Sequence, residues 1–154
     1  MTIAGFFKEY RFLSNFFMAE TSYDGEIYPS SEHAYAAAKT LDLYEREVIR
    51  DAETPKEAKK LGRSVKIRKD WDEIKVAIMR QIVLDKFTRN RHLIITLIET
   101  QDEVLIEENY WKDTFWGEYN GVGENNLGKI LMEIRELFYI ITSEAIDASI
   151  EDEI

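Results

Sequence analysis

The sequence of 154 residues contains no cysteine, two prolines and two histidines. Without cysteine there is no disulfide framework, no thiolate zinc site and no cysteine nucleophile. His33 and His92 are the whole histidine complement, too few for a histidine-rich metal site. No apolar run approaches the roughly 18 residues that a membrane span needs. The N-terminus has neither the basic start nor the apolar core of a signal peptide. A soluble, cytoplasmic protein with no membrane or metal partner is expected. Basic residues are outnumbered, 20 against 30 acids, for a net charge of −10. Broad non-specific nucleic-acid binding needs cation excess, so it is disfavoured, whereas a local basic groove is not.

What is present points to a folded chain. Hydrophobic residues make up 45% and aromatics 12%, which is not a disordered composition. The length suits one domain, expected over residues 1–143, followed by an acidic tail over 144–154. That tail, EAIDASIEDEI, has five acids and no base and reads as frayed; without it the net charge is −5.

Local patterns predict an α+β chain, mainly α-helical, with a small β element. TSYDGEIY (residues 21–28) reads as a hairpin turning at Asp24-Gly25, where both central positions need positive φ. The alanine-rich stretch from Glu32 to about Thr40 is a helix. Thr54-Pro55-Lys56-Glu57 starts another with a capping box, and Gly62 is a plausible stop. Asp70-Trp71-Asp72-Glu73 repeats the capping pattern before a helix to about Asn90. Residues 92–100 form a shorter helix and 104–106 a strand. WKDTFWGEYNGVGENNLG (residues 111–128) is a loop that holds four of the seven glycines, and an amphipathic helix follows.

Four constellations have chemical potential. Glu32 and Lys39 are seven apart, so they share a helix face with α-carbons about 10 Å apart along the axis; the bland alternative is a solvated charged stripe. His33 beside them reads as a capped or packed histidine. Asp113, Trp116 and Gly117 sit in the glycine-rich loop, whose amides could cradle a phosphate and which runs into a helix N-terminus at Asn126-Leu127-Gly128. The alternative there is an Ω-loop plugged by its own aromatics. The stretch from Lys56 to Lys69 has seven basic residues, Arg63 and Arg68 among them, against one acid. It is a solvated face or a phosphate collector. Ser14 and Asn15 lie inside the aromatic FLSNF, where buried polar groups need partners.

FLSNF (12–16), YPSSEHAYAAAK (28–39), TPKEAKKLGR (54–63), RKDWD (68–72), LIEENYWKDTFWG (105–117) and GENNLGKILMEIR (123–135) occur in this order. Together they resemble the NADAR domain family, which includes the YbiA-like N-glycosidases, over about residues 5–140. The resemblance implies a compact, mostly helical domain that cleaves a C–N bond at the anomeric carbon of a phosphorylated ribose. One family activity removes ADP-ribose from guanine in DNA or RNA; another hydrolyses phosphoribosylamino-pyrimidine intermediates of riboflavin synthesis. Glu32 and Lys39 match the family's Glu-His…Lys helix. Asp113, Trp116 and Gly117 match its Asp-x-Phe-Trp-Gly loop, and Asn126, Leu127 and Gly128 its Asn-x-Leu-Gly turn. The helix departs from the family at Ala36, where a Gln is frequent, and the segment before it departs at Tyr28, where a Trp is frequent. The implied catalytic residues are Glu32, Lys39 and Asp113, with Lys39 able to form a Schiff base. Asn15, Tyr28, His33, Arg63, Arg68, Trp116, Gly117, Asn126 and Gly128 are the implied substrate contacts, Tyr28 and Trp116 sandwiching a ring and Arg11 a further phosphate ligand. No cofactor is implied. The partner is ADP-ribosylated nucleic acid or an ADP-ribose-like nucleotide. A non-catalytic ADP-ribose or NAD reader, and an interaction protein using the acidic tail, are the alternatives from other classes.

Overall fold

A computed structural model describes residues 1–153. The class is the expected one, α+β and mainly helical, with two two-stranded sheets among the described residues. The chain forms two units, one of residues 6–91 and one of residues 1–5 with 92–154.

The first unit opens with a 3-10 helix (Lys8–Leu13) and a hairpin of β2 (Met18–Tyr23) and β3 (Glu26–Ser30), β1 (Thr2–Ala4) belonging to the other unit. Asp24 and Gly25 turn the hairpin with φ of 50° and 83°, the positive pair that matches strand twist. Ser30 ends β3 and caps α1 (Ser31–Ala38), its side chain accepting the His33 N–H. All eight α1 residues are buried. Four alanines make this possible: α2 (Leu43–Arg50), α3 (Pro55–Gly62), α4 (Trp71–Arg89) and the hairpin all pack on this short helix. Gly62 is not a left-handed stop. A Cβ there would sit 2.9 Å from the Ala36 Cβ, so glycine lets α3 close on α1.

Helix starts follow local chemistry where nothing competes. Thr54 caps α3 by accepting the Glu57 N–H at 3.1 Å. The Glu57 carboxylate takes the Glu53 N–H rather than that of Thr54, one residue off the expected reciprocal bond. Asp70 does not cap α4. Its two carboxylate oxygens hold Arg68 Nε and Nη2 at 2.7 and 3.1 Å, a charge-assisted fork stronger than a neutral cap.

In the second unit β1 (Thr2–Ala4) pairs in parallel with β4 (Val104–Ile106). α5 (Arg91–Glu99) precedes β4, and α6 (Asn126–Glu153) packs on it. Leu127, Ile130, Leu131 and Ile134 are the buried side of α6. Residues 144–153 are helical rather than frayed, though exposed. Ala145, Ala148 and the i,i+4 bond from Ser149 Oγ to the Ala145 carbonyl favour that continuation. No helix among the described residues is long and apolar enough to cross a membrane.

Candidate active site

In the 6–91 unit, α1 carries Glu32 in its first turn and Lys39 at its C-terminal cap. Glu32 is buried, so the solvated-stripe alternative fails. Main-chain bonds fix both ends: the Glu32 N–H donates to the Asn15 carbonyl at 3.1 Å and the Arg68 N–H to the Lys39 carbonyl at 2.8 Å. Arg46 Nε adds a bond to the neighbouring Thr40 carbonyl at 2.8 Å.

The Lys39 ammonium lies 5.5 Å from the centre of the Tyr35 ring, which is tilted against Trp71. Burial holds the Lys39 pKa below the ordinary lysine value; Lys59, Arg63 and Lys75 push it the same way, while Glu32 opposes them. A half-buried amine of lowered basicity, beside a buried carboxylate and near three more cations, suits nucleophilic work on an anionic substrate. Lys75 was not singled out in the sequence. Its one signal is that it stands four residues after Trp71 on α4. Lys59 also lies 5.7 Å from the ring centre of Phe16, an exposed aromatic of the FLSNF segment.

Among the remaining expected contacts of this unit, Asn15, His33 and Arg68 have structural partners. Asn15 is buried; its Oδ1 accepts from Ser31 Oγ at 2.9 Å and its Nδ2 approaches Met79 Sδ at 3.5 Å. Buried Lys86 explains the turn around it, donating to the carbonyls of Phe12 and Ser14 at 2.7 and 2.9 Å. Lys86 was not foreseen, because a lysine in an apolar helix stripe looks like its exposed edge. His33 is wholly buried, with Nδ1 2.6 Å from Ser30 Oγ and Nε2 2.9 Å from the Ala52 carbonyl. Its burial lowers its pKa, so it serves as a neutral structural group. Tyr28 is 1% exposed and offers no ring face for stacking. It stands on β3, and the packing of that strand against α1 takes it inside. Arg68 spends Nε and Nη2 on Asp70 and Nη1 on the Tyr23 hydroxyl. Arg63, at the end of α3, and Arg11 are exposed.

The other unit holds the glycine-rich loop. Asp113 Oδ1 accepts the N–H groups of Phe115 and Trp116 at 3.0 and 2.9 Å. Asp113 therefore shapes the turn that sets Trp116 edge-on to Phe115, with ring centres 4.8 Å apart. Asn126 Nδ2 donates to the Phe115 carbonyl. The amides of Asn126 and Leu127 are taken by the carbonyls of Phe115 and Trp116. The expected anion site at this helix start is thereby closed by the loop's own backbone. Gly117 and Gly128 are glycines for space: a Cβ on either would fall on the carbonyl of Glu107 or Leu105 respectively. The self-plugged loop is the better description. Among the described residues no group of three or more His, Asp or Glu is disposed to hold a metal.

Residues 5–139 match the family described as the NADAR domain. The N-glycosidase YbiA of Escherichia coli (strain K12) is 37% identical over 141 residues, 88% of this chain and 88% of that protein. A riboflavin biosynthesis protein of Vibrio vulnificus (strain YJ016) is 41% identical over 128 residues, 81% of this chain and 35% of that protein. The NMR structure of Escherichia coli YbiA gives a TM-score of 0.81 at 36% identity, covering 93% of this chain and 88% of that one. With a match over nearly its whole length, a shared fold and the motif residues in place, the chain belongs to the NADAR domain family.

Proposed function

We propose that this protein is an N-glycosidase that cleaves the bond between ribose C1 and a base nitrogen, removing ADP-ribose from ADP-ribosylated guanine in DNA or RNA. The observation that carries this reading is Lys39, a half-buried amine of lowered pKa at one end of a helix whose other end presents buried Glu32.

In this mechanism Lys39 Nζ, as the neutral amine, bonds to ribose C1 while the C1–N bond breaks. The electron pair leaves with the base nitrogen, and the Glu32 carboxylate relays to that nitrogen the proton that Nζ sheds as its bond to C1 forms. The ribose ring opens to a protonated Schiff base on Lys39. Water then adds at C1 and releases the free ribose end and the amine. Lys59, Arg63 and Lys75 favour the phosphates of the substrate and, by the same charge, lower the Lys39 pKa. Asp113 and Trp116 stay candidates on their match to the family's loop motif. Asp113 Oδ2 takes no bond among the described residues.

The test is a single-stranded oligonucleotide carrying one ADP-ribosyl-guanine, incubated with the protein and with Lys39→Ala. Mass spectrometry is expected to show free ADP-ribose and restored guanine for the parent and neither for the variant. Borohydride added during turnover is expected to trap a ribosyl adduct on Lys39. Release by a well-folded Lys39→Ala protein removes Lys39 from the mechanism.

A second substrate has support in the Vibrio vulnificus relative, which is named for riboflavin biosynthesis. The same chemistry would hydrolyse a phosphoribosylamino-pyrimidine, and the ratio of kcat/KM on the two substrates decides between them.

A further inference from the structure

Within FLSNF, Phe12, Leu13 and Asn15 are buried, whereas Phe16 is 40% exposed. The turn that carries it is fixed on both sides. Ser14 Oγ accepts the Phe16 N–H at 3.1 Å. The Ser14 carbonyl accepts the Phe17 N–H at 3.2 Å and a bond from Lys86 Nζ. The Asn15 carbonyl takes the Glu32 N–H, and Asn15 Oδ1 takes Ser31 Oγ. Phe16 thus follows directly on the residue that anchors the first turn of α1. The Lys59 ammonium lies over its ring, 5.7 Å from the centre, and Lys59 is one of the cations whose charge reaches Lys39. All of these residues belong to the 6–91 unit.

A single exposed phenylalanine is ordinary on a protein surface. This one has a bonded backbone before and after it, so less order is lost when its ring meets a ligand. It adjoins the Glu32 end of α1 through the main chain and the Lys39 cations through its ring. The parts of a nucleotide ask for different walls. Lys59, Arg63 and Lys75 suit the phosphates, but they give a flat heterocycle no apolar surface. Tyr35 and Trp71, the aromatics next to Lys39, are buried. Phe16 has ring surface to give, and every nucleobase offers a π-face to it. The heterocycle in reach is the departing base rather than the adenine. Glu32 serves the nitrogen bonded to C1, whereas two phosphates and a second ribose separate C1 from the adenine.

We propose that Phe16 stacks on the departing base and so acts as a specificity-determining contact for that side of the substrate. This rests on the N-glycosidase reading above. The test sets the parent, Phe16→Ala and Phe16→Tyr against ADP-ribosyl-guanosine as substrate and ADP-ribose, which lacks the base, as product inhibitor. Loss of one base–aromatic stack is expected to raise the KM of Phe16→Ala by about 5- to 150-fold with kcat kept. The ADP-ribose inhibition constant is expected to stay within about twofold, and Phe16→Tyr to keep the parent KM, because the ring carries the contact. A merely structural role would move substrate and product alike. An equal loss on both, no rise in KM, or failure of Phe16→Tyr to keep the parent value overturns the proposal. A calorimetric arm titrates ADP-ribosyl-guanosine and ADP-ribose into all three proteins. If the parent does not turn the adduct over, the N-glycosidase reading falls, and this arm alone judges Phe16. Tighter binding of the adduct than of ADP-ribose, lost in Phe16→Ala and kept in Phe16→Tyr, supports the stack. No such preference in the parent, or an unchanged one in Phe16→Ala, overturns it.

Discussion

At the scale of single residues, the chemistry turns on how far the basicity of Lys39 is lowered. Burial is the largest influence and lowers its pKa; Lys59, Arg63 and Lys75 add to that, and Glu32 opposes it. The expected kcat profile therefore rises with pH along a limb that lies below the ordinary lysine value. Lys75→Gln removes a lowering charge, so its limb is expected at higher pH than the parent's. Glu32→Gln removes the raising charge, so its limb is expected at lower pH, with a smaller plateau because the proton relay is gone. Limbs that stay in place in both variants would assign the titration to another group. Stability follows the same sign. Between the lowered folded pKa and the unfolded one, the unfolded chain binds the extra proton, so stability rises with pH across that interval and the folded state is penalised below it. Lys39→Met, which removes an ammonium that burial disfavours, is expected to abolish turnover while holding or raising Tm at pH 7 in a thermal melt.

At the scale of elements, α1 is a helix with no room around it. Gly62→Ala adds a methyl against Ala36 Cβ, with 2.9 Å available, and is expected to cost about 1–3 kcal/mol in denaturant unfolding. A cost near zero would mean that α3 can slide outward freely. Elements set by near neighbours were legible in the sequence. The Asp24-Gly25 turn and the Thr54-Pro55 helix start depend on residues within four positions. Elements set by distant partners were not. Asp70 had the pattern of a cap, but Arg68 competes for both its oxygens. Asn126 and Leu127 had the pattern of an anion-binding helix start, but the backbone of residues 115 and 116 reaches their amides first. The candidate site divides in the same way. Spacing put Glu32 and Lys39 on one helix, and His33 as a capped or packed histidine and Asn15 as a buried polar group with partners were legible locally, whereas the enclosure of Tyr28 was not, because it is set by distant packing on α1.

At the scale of the whole molecule, charge is divided unevenly. Seventeen of the 20 basic residues fall in residues 6–91 beside 15 of the 30 acids, so that unit is +2 and the remainder −12. A polyanion drawn by Lys59, Arg63 and Lys75 alone would release few counterions. The expected slope of log kcat/KM against log salt on the single-stranded substrate is about −2. A much steeper slope would mean that most of the Lys56–Lys69 stretch is engaged. Deleting residues 144–154, whose described part 144–153 is an exposed helical extension beyond the family match, is expected to leave kcat unchanged; a loss would make that extension part of the working enzyme. The frame around α1 also has a genetic consequence. The Asn15 carbonyl that holds Glu32 and the Arg68 amide that holds Lys39 are both main-chain groups, supplied by any residue that keeps the local path. An alanine scan is blind to them. Codon 68 can drift widely without loosening the lysine, and proline, which has no amide hydrogen to give, is the replacement there that selection would remove.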